Sequence, residues 1–292
     1  MTSAPTRVDF PSSGGVSIAA YRWDPAGEPR AIAQIAHGVG EYALRYAPLA
    51  EALAAHGYVV YAHDHRAHGA SSRSAAELGV LGEEGWAELV NDLGRAGKHA
   101  RADHPDVPLV LIAHSLGSFA TQQYLLDHSA DVDAVVLSGT GAIDLLEPAM
   151  DLDAPMDLSA FNAAFRPART DFDWLSRDED QVDRYVADPQ CGFGLDIAGG
   201  KAMFVAARQL ADPDRVAGIR VDLPIYLAVG DLDPVNGQLT LVDALVARYR
   251  KAGLDDITLK AYPGARHEVF NETNRDEVVR DTIAWIDAHI SA

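Results

Sequence analysis

A run of aliphatic residues that breaks off at a histidine and a serine constrains this chain more than any other feature: Pro108-Leu-Val-Leu-Ile-Ala-His114-Ser115-Leu116-Gly117. The apolar part is strand-like, and residues 118–128 read as a helix. The segment is therefore a strand, a sharp turn and a helix, with Ser115 at the apex. Such a turn forces strained backbone angles on the apex residue and lifts its Oγ clear of the sheet edge. The helix then passes close to the strand, so small residues must flank the apex, and Ala113 and Gly117 meet that demand. The usual pattern is Gly-x-Ser-x-Gly, from which Ala113 differs by one methyl group. On these residues alone Ser115 fits a nucleophile, and it also fits a helix N-cap after a strand.

Taken in order, the chain alternates. Residues 16–23, 31–36, 58–62, 109–113, 134–137, 223–229 and 257–262 read as strands. Residues 46–56, 86–101, 118–128, 239–251 and about 276–289 read as helices. Gly14-Gly15 and Asp24-Pro25-Ala26-Gly27 mark turns. Strands alternating with helices predict a mostly parallel sheet covered on both faces. The alternation stops from Ile143 to about Arg215. There, prolines punctuate short helical pieces, acidic residues are dense, and aromatic and Met side chains are scattered. This is expected to be an inserted helical cap, dividing a core of residues 1–142 and 216–292 around a cap of 143–215. The aromatics argue against a disordered linker. Most are expected to form the cap's own small core, with a subset lining a pocket.

Composition narrows the function classes. Lys plus Arg number 24 against 43 Asp plus Glu, a formal charge of −19. That field repels nucleic acid and anionic membrane surfaces and disfavours a polyanionic substrate. One cysteine, Cys191, excludes an intrachain disulfide. The N-terminal residues lack an apolar leader, and the longest apolar runs are far short of the ~20 residues that span a bilayer. The expectation is a soluble, cytoplasmic protein without stable membrane insertion, a monomer or a homodimer.

The chemistry-bearing residues fall at strand ends. Ser115, Asp231 or Asp233, and His267 all follow the C-terminal ends of predicted parallel strands, the edge where open parallel sheets bind ligands. A serine hydroxyl needs an imidazole to take its proton and a carboxylate to fix the imidazole's tautomer. The attacked carbonyl needs backbone donors aimed at the developing oxyanion. Leu116, directly after the serine, supplies one N–H. The loop after residues 31–36 supplies the other, which points to Val39, with Gly38 and Gly40 letting that backbone bend.

Five stretches in order carry a resemblance: His37-Gly-Val-Gly-Glu41, Asp64-x-Arg-x-His-Gly-x-Ser71, His114-Ser-Leu-Gly117, Gly230-x-x-Asp233-Pro-Val-Asn236 and Pro263-Gly-Ala-x-His267. With them the chain resembles the α/β-hydrolase family that includes monoacylglycerol lipases and lysophospholipase-like esterases of the serine aminopeptidase type. The resemblance implies an α/β-hydrolase fold with a cap. It also implies a serine hydrolase that cleaves monoacylglycerols or other single-chain esters through an acyl-enzyme, with no cofactor or metal. It places the catalytic set on Ser115, Asp233 and His267, and the oxyanion donors on Val39 and Leu116. Two positions depart from the family pattern, Ala113 in the elbow and Ala67 where glycine is common. Both alter geometry rather than chemistry.

Other readings compete on the same residues. His63-Asp64-His65-x-x-His68 has the composition of a metal cluster but not the order used by dinuclear zinc hydrolases. Cys191 lacks the strand-end context of a nucleophile. Arg66 and Glu41 are expected to brace loops, and Glu41 to order the oxyanion loop. An N-terminal aminopeptidase would use the same triad with an acidic clamp for the substrate amine. A C–C bond hydrolase would use it too, and only substrate tests separate it. A dehalogenase would need an acid at position 115. A non-catalytic ligand receptor on the same fold would be expected to have lost a triad member. The acidic cap predicts weak binding to anionic lipid surfaces and a preference for dispersed short- or medium-chain esters.

Overall fold

The computed structural model describes residues 4–290. Residues 1–3 and 291–292, at the ends of the two expected core segments, lie outside it. The strands in chain order are β1 (Thr6–Arg7), β2 (Phe10–Pro11), β3 (Ser17–Ile18), β4 (Ala20–Trp23), β5 (Ala31–Ala36), β6 (Tyr58–His63), β7 (Leu109–His114), β8 (Ala134–Ser138), β9 (Ile225–Gly230) and β10 (Ile257–Tyr262). Eight of them form one sheet in the order β1-β4-β6-β5-β7-β8-β9-β10, while β2 and β3 make a separate hairpin. From β6 to β10 every neighbouring pair is parallel; β1 and β4 add an antiparallel edge.

All residues of β5, β6, β7 and β9 are buried, which is why these strands read as continuous apolar runs rather than alternating ones. Their side chains still alternate between two cores. Leu109, Leu111 and Ala113 face one core and Val110 and Ile112 the other. Helices α2 (Gly82–Asp103), α3 (Leu116–His128) and α7 (Thr240–Lys251) cover the first face. Helices α1 (Ala47–Ala55) and α8 (Arg275–His289) cover the second. The link from β5 to β6 runs towards the β1 edge, and the link from β6 to β7 returns across β5. The strand order therefore reverses between β5 and β7, and the crevice at their C-terminal ends is the expected ligand position in such a sheet. His37–Glu41 and Ser115 open directly onto it.

Between β8 and β9 the described chain contains no strand. It runs through 3₁₀ turns, a longer 3₁₀ helix (Leu158–Phe165), α4 (Glu179–Ala187), α5 (Ile197–Ala207) and the short α6 (Pro213–Val216). Their aromatics do not form a separate core. Trp174, Tyr185, Met203 and Phe204 join the cluster that α2 and α3 make on the sheet, because α5 packs along α2.

The strand read over residues 16–23 is interrupted at Ala19. Its N–H donates to Ser71 Oγ (2.9 Å) and its carbonyl accepts from the Asp64 N–H (2.8 Å), so the loop after β6 takes both ladder groups. The chain changes there from the hairpin to the main sheet. Helix α2 starts four residues earlier than its apolar spacing suggests, with Glu83 and Glu84 in its first turn, where the helix dipole favours acids.

Candidate active site

Ser115 sits between β7 and α3 with φ 49° and ψ −118°, a conformation only an over-determined turn holds on a non-glycine residue. Its N–H donates to the Ser138 carbonyl of β8 (2.9 Å), and its own carbonyl accepts from Phe119 N–H (3.0 Å) and Ser118 Oγ (2.7 Å). Gly117 donates to the His37 carbonyl (3.0 Å), which fastens the elbow to the loop after β5. Leu116 is the first residue of α3, so its N–H has no acceptor within the helix. A β-carbon on Gly38 would lie 3.1 Å from Ser115 Cβ, so the loop carrying Val39 is pressed against the serine.

His267, on the turn after β10, is buried, and its Nδ1 lies 2.9 Å from Asp233 Oδ2. Asp233 is fully buried after β9, and its Oδ1 accepts the Val235 N–H (2.8 Å). Asp231 turns elsewhere, accepting from Gly264 N–H at 2.7 Å. Of the two candidate acids, Asp233 is therefore the one brought to His267. Burial works against a charged His267, but the charge and hydrogen bond of Asp233 outweigh it, and Glu268 and Glu41 add to them, so its pKa is raised. His114 packs on His267 with ring centres 4.7 Å apart, and its Nδ1 pairs with Ser138 Oγ (3.0 Å). Burial and the neighbouring His267 hold His114 well below the ordinary imidazole value, so it is neutral. Gly139 lies between the two rings: a β-carbon there would come within 2.7 Å of both.

Glu41 does order the loop. Its Oε1 accepts Gly38 N–H (2.6 Å) and Tyr46 O–H (2.8 Å), and its other oxygen meets Arg45. Arg45 in turn grips Glu268, the residue after His267, through two parallel bonds of 2.7 and 2.8 Å. One guanidinium thus spans the loop after β5 and the loop after β10. Arg45 holds Glu268 below its usual range despite burial, whereas burial pushes Glu41 up. Neither Arg45 nor Glu268 carried a sequence signal of this link, because 223 residues separate them.

The remaining candidates sit in structural roles. Asp64 accepts from Ala43 N–H (2.8 Å) and Ala70 N–H (2.7 Å). His65 N–H donates to His37 Nε2 (2.9 Å), and His37 Nδ1 donates to the Gly38 carbonyl (2.7 Å). Among the described residues no group of three or more His, Cys, Asp or Glu side chains is arranged to hold a metal ion. Arg66 pairs with Asp92 of α2 and bonds Ser12 of the hairpin. Burial pushes the Cys191 thiol up, away from reactivity. Ala67 has φ 60°, so the methyl group that departs from the family pattern sits on left-handed backbone.

Ser115 opens onto a narrow cleft whose empty space, its open mouth included, is about 410 Å³. Val39 and Leu116 line it with the serine, and Ile143, Phe161, Trp174 and Phe204 of the segment between β8 and β9 form much of its wall.

Residues 27–274 match the family described as serine aminopeptidase, S33. The chain belongs to this family. As an S33 member it is 33% identical to the monoacylglycerol lipase of Mycolicibacterium smegmatis over 295 residues, covering 99% of this chain and 100% of that protein. It is 29% identical to the monoglyceride lipase of Mus musculus, covering 92% of this chain and 86% of that protein. Among solved structures it resembles a thermostable carboxyl esterase from Bacillus coagulans, with TM-score 0.88 and 28% identity over 99% of this chain and 100% of that one. The fold is that of an α/β-hydrolase.

Proposed function

We propose that the protein is a carboxylic ester hydrolase acting on monoacylglycerols and similar single-chain esters. Ser115 attacks the ester carbonyl and His267 takes its proton. Asp233 fixes the His267 tautomer and stabilises the imidazolium, and the N–H groups of Val39 and Leu116 hold the oxyanion. The tetrahedral intermediate expels the alcohol, which takes its proton from His267. Water then releases the acid from the acyl-serine by the same steps. Residues 143–215 act as the cap that walls the acyl-binding cleft. The setting is reducing and cytoplasmic, in keeping with the single cysteine. Among the described residues no helix is long and apolar enough to cross a membrane.

The observation that carries this reading is the buried His267–Asp233 pair together with a strained serine that lines an apolar cleft. The family's aminopeptidase name favours a second reading. An aminopeptidase would bind a substrate ammonium, yet none of the described residues lining the cleft is a carboxylate. A fluorophosphonate probe is therefore expected to label Ser115, and a p-nitrophenyl ester series from acetate to palmitate to be hydrolysed in preference to an aminoacyl anilide. The chain-length optimum measures the acyl cleft, and the acidic cap favours the shorter, dispersed esters. Anilide cleavage without ester preference would move the assignment to the peptidase.

The pH profile follows from His267. Only its neutral form accepts the serine proton, and its pKa lies above the ordinary 6.5. The kcat/KM profile should fall on the acid side with an inflection above 6.5. An inflection below that value would contradict the assignment of the base.

A further inference from the structure

The segment between β8 and β9 is bonded to both loops that frame the site. On one side, the Trp174 carbonyl accepts from His267 N–H (3.4 Å) and the next carbonyl, Leu175, from Glu268 N–H (2.8 Å), while the Trp174 ring packs on His267 with centres 4.8 Å apart. On the other side, the turn after α4 grips the loop after β5. Gly192 N–H donates to the Gly40 carbonyl (3.0 Å), and Tyr42 O–H donates to Asp188 Oδ2 (2.7 Å). The turn itself is stiff: the Asp188 carbonyl accepts from Cys191 N–H (3.0 Å), and Asp188 Oδ1 accepts from Gln190 N–H (2.9 Å). The approach is close, because a β-carbon on Gly40 (φ 66°) would lie 2.4 Å from the Phe193 carbonyl oxygen. Val39 thus stands between two tied glycines, Gly38 held by Glu41 and Gly40 held by Gly192. Left untied, two glycines would give this loop wide backbone freedom. A donor stabilises an oxyanion best when it need not be reordered during the reaction.

We infer that Tyr42 is a positioning residue for the oxyanion donor: by bonding Asp188 it clamps the turn after α4 onto the loop after β5 and holds the Val39 N–H in its working place. The bond from Gly192 to Gly40 is a single point, about which the turn can rock. The bond from Tyr42 to Asp188 is the second point, and it fixes the two backbones against each other. The segment between β8 and β9 therefore has two separable effects on the reaction. As a wall it serves only esters long enough to touch it. As a clamp on the oxyanion loop it serves every ester, including acetate, whose acyl group ends in one methyl. This inference rests on the ester-hydrolase reading.

The test uses p-nitrophenyl acetate and p-nitrophenyl octanoate with wild type, Tyr42→Phe, Asp188→Ala, the double variant and Ser115→Ala, each checked for folding by thermal unfolding. Tyr42→Phe removes one oxygen atom and keeps the ring. A misplacement of about 1 Å costs roughly a hundredfold, so loss of one of two attachments is expected to lower kcat about tenfold on both esters. Acylation and deacylation both pass through an oxyanion, so kcat falls whichever step is slower, while KM should move by no more than about twofold. Asp188→Ala is expected to match Tyr42→Phe, and the double variant to lose no more than either single one, because all three break the same bond. A loss confined to the octanoate, a lowered melting temperature with kcat unchanged, or losses that multiply in the double variant would each overturn the inference and leave the hydrolase reading standing. Failure of the wild type to hydrolyse either ester, or hydrolysis that survives Ser115→Ala, sinks the hydrolase reading and this inference with it.

Discussion

Ser115→Ala is expected to lower kcat on a monoacylglycerol roughly 10⁶-fold, and Asp233→Asn about 10⁴-fold, with both variants folded. The first change removes the proposed nucleophile. The second acts through hydrogen-bond direction. Asp233 Oδ1 accepts the Val235 N–H, and Oδ2 faces His267 Nδ1. An asparagine must keep its oxygen towards Val235 to satisfy that donor, which turns its NH₂ towards His267. The imidazole proton then has to sit on Nε2, where it blocks acceptance of the serine proton. Steady-state kinetics alongside thermal unfolding would check both variants. An Asp233→Asn enzyme within about tenfold of wild type would remove Asp233 from the mechanism.

Gly117→Ala carries the second large expectation. A β-carbon at Gly117 would lie 2.5 Å from the Ala36 carbonyl oxygen and 2.6 Å from that of His37, both backbone atoms that cannot swing aside. The elbow helix and the end of β5 would have to separate, straining the hydrogen bond from Gly117 to His37 that carries the Val39 loop. We expect about 1–3 kcal/mol of destabilisation from overpacking. A displacement of the oxyanion loop of even 1 Å would lower kcat/KM about 10²-fold. Urea unfolding and the rate of fluorophosphonate labelling read the two effects separately. The opposite flank explains itself: Ala113 lies within β7, one residue before its end and packed between β5 and β8, and its methyl is buried in the core. Only the second small position of the elbow is sterically obligatory as glycine.

What the sequence made legible follows from burial. The strand β5 was readable to the residue because a fully buried strand is a short apolar run, and β10 because Tyr262 leads straight into Pro263-Gly264. The edge strand β1 was invisible: two exposed residues carry no pattern. The break at Ala19 was equally hidden, since it is made by Asp64 and Ser71, distant in sequence. In the site, Ser115, Asp233 and His267 could be placed because each follows a strand end. Trp174, Arg45 and Glu268 could not, because their importance lies in contacts across the fold. The cap aromatics looked self-sufficient, yet α5 lies against α2 and merges them into the sheet's own core.

The strip from Asp173 to Ser176 is bonded to the turn after β10 as firmly as a strand to its neighbour. Besides the two backbone bonds to His267 and Glu268, the Ser176 carbonyl accepts from Arg266 (3.1 Å) and Ser176 Oγ donates to the Asn271 carbonyl (2.9 Å). Any motion that widens the mouth must therefore leave this strip with the turn after β10. The strip travels with His267 and keeps Trp174 in register with it. The His267 imidazole and the indole that covers it are in this way held as one unit.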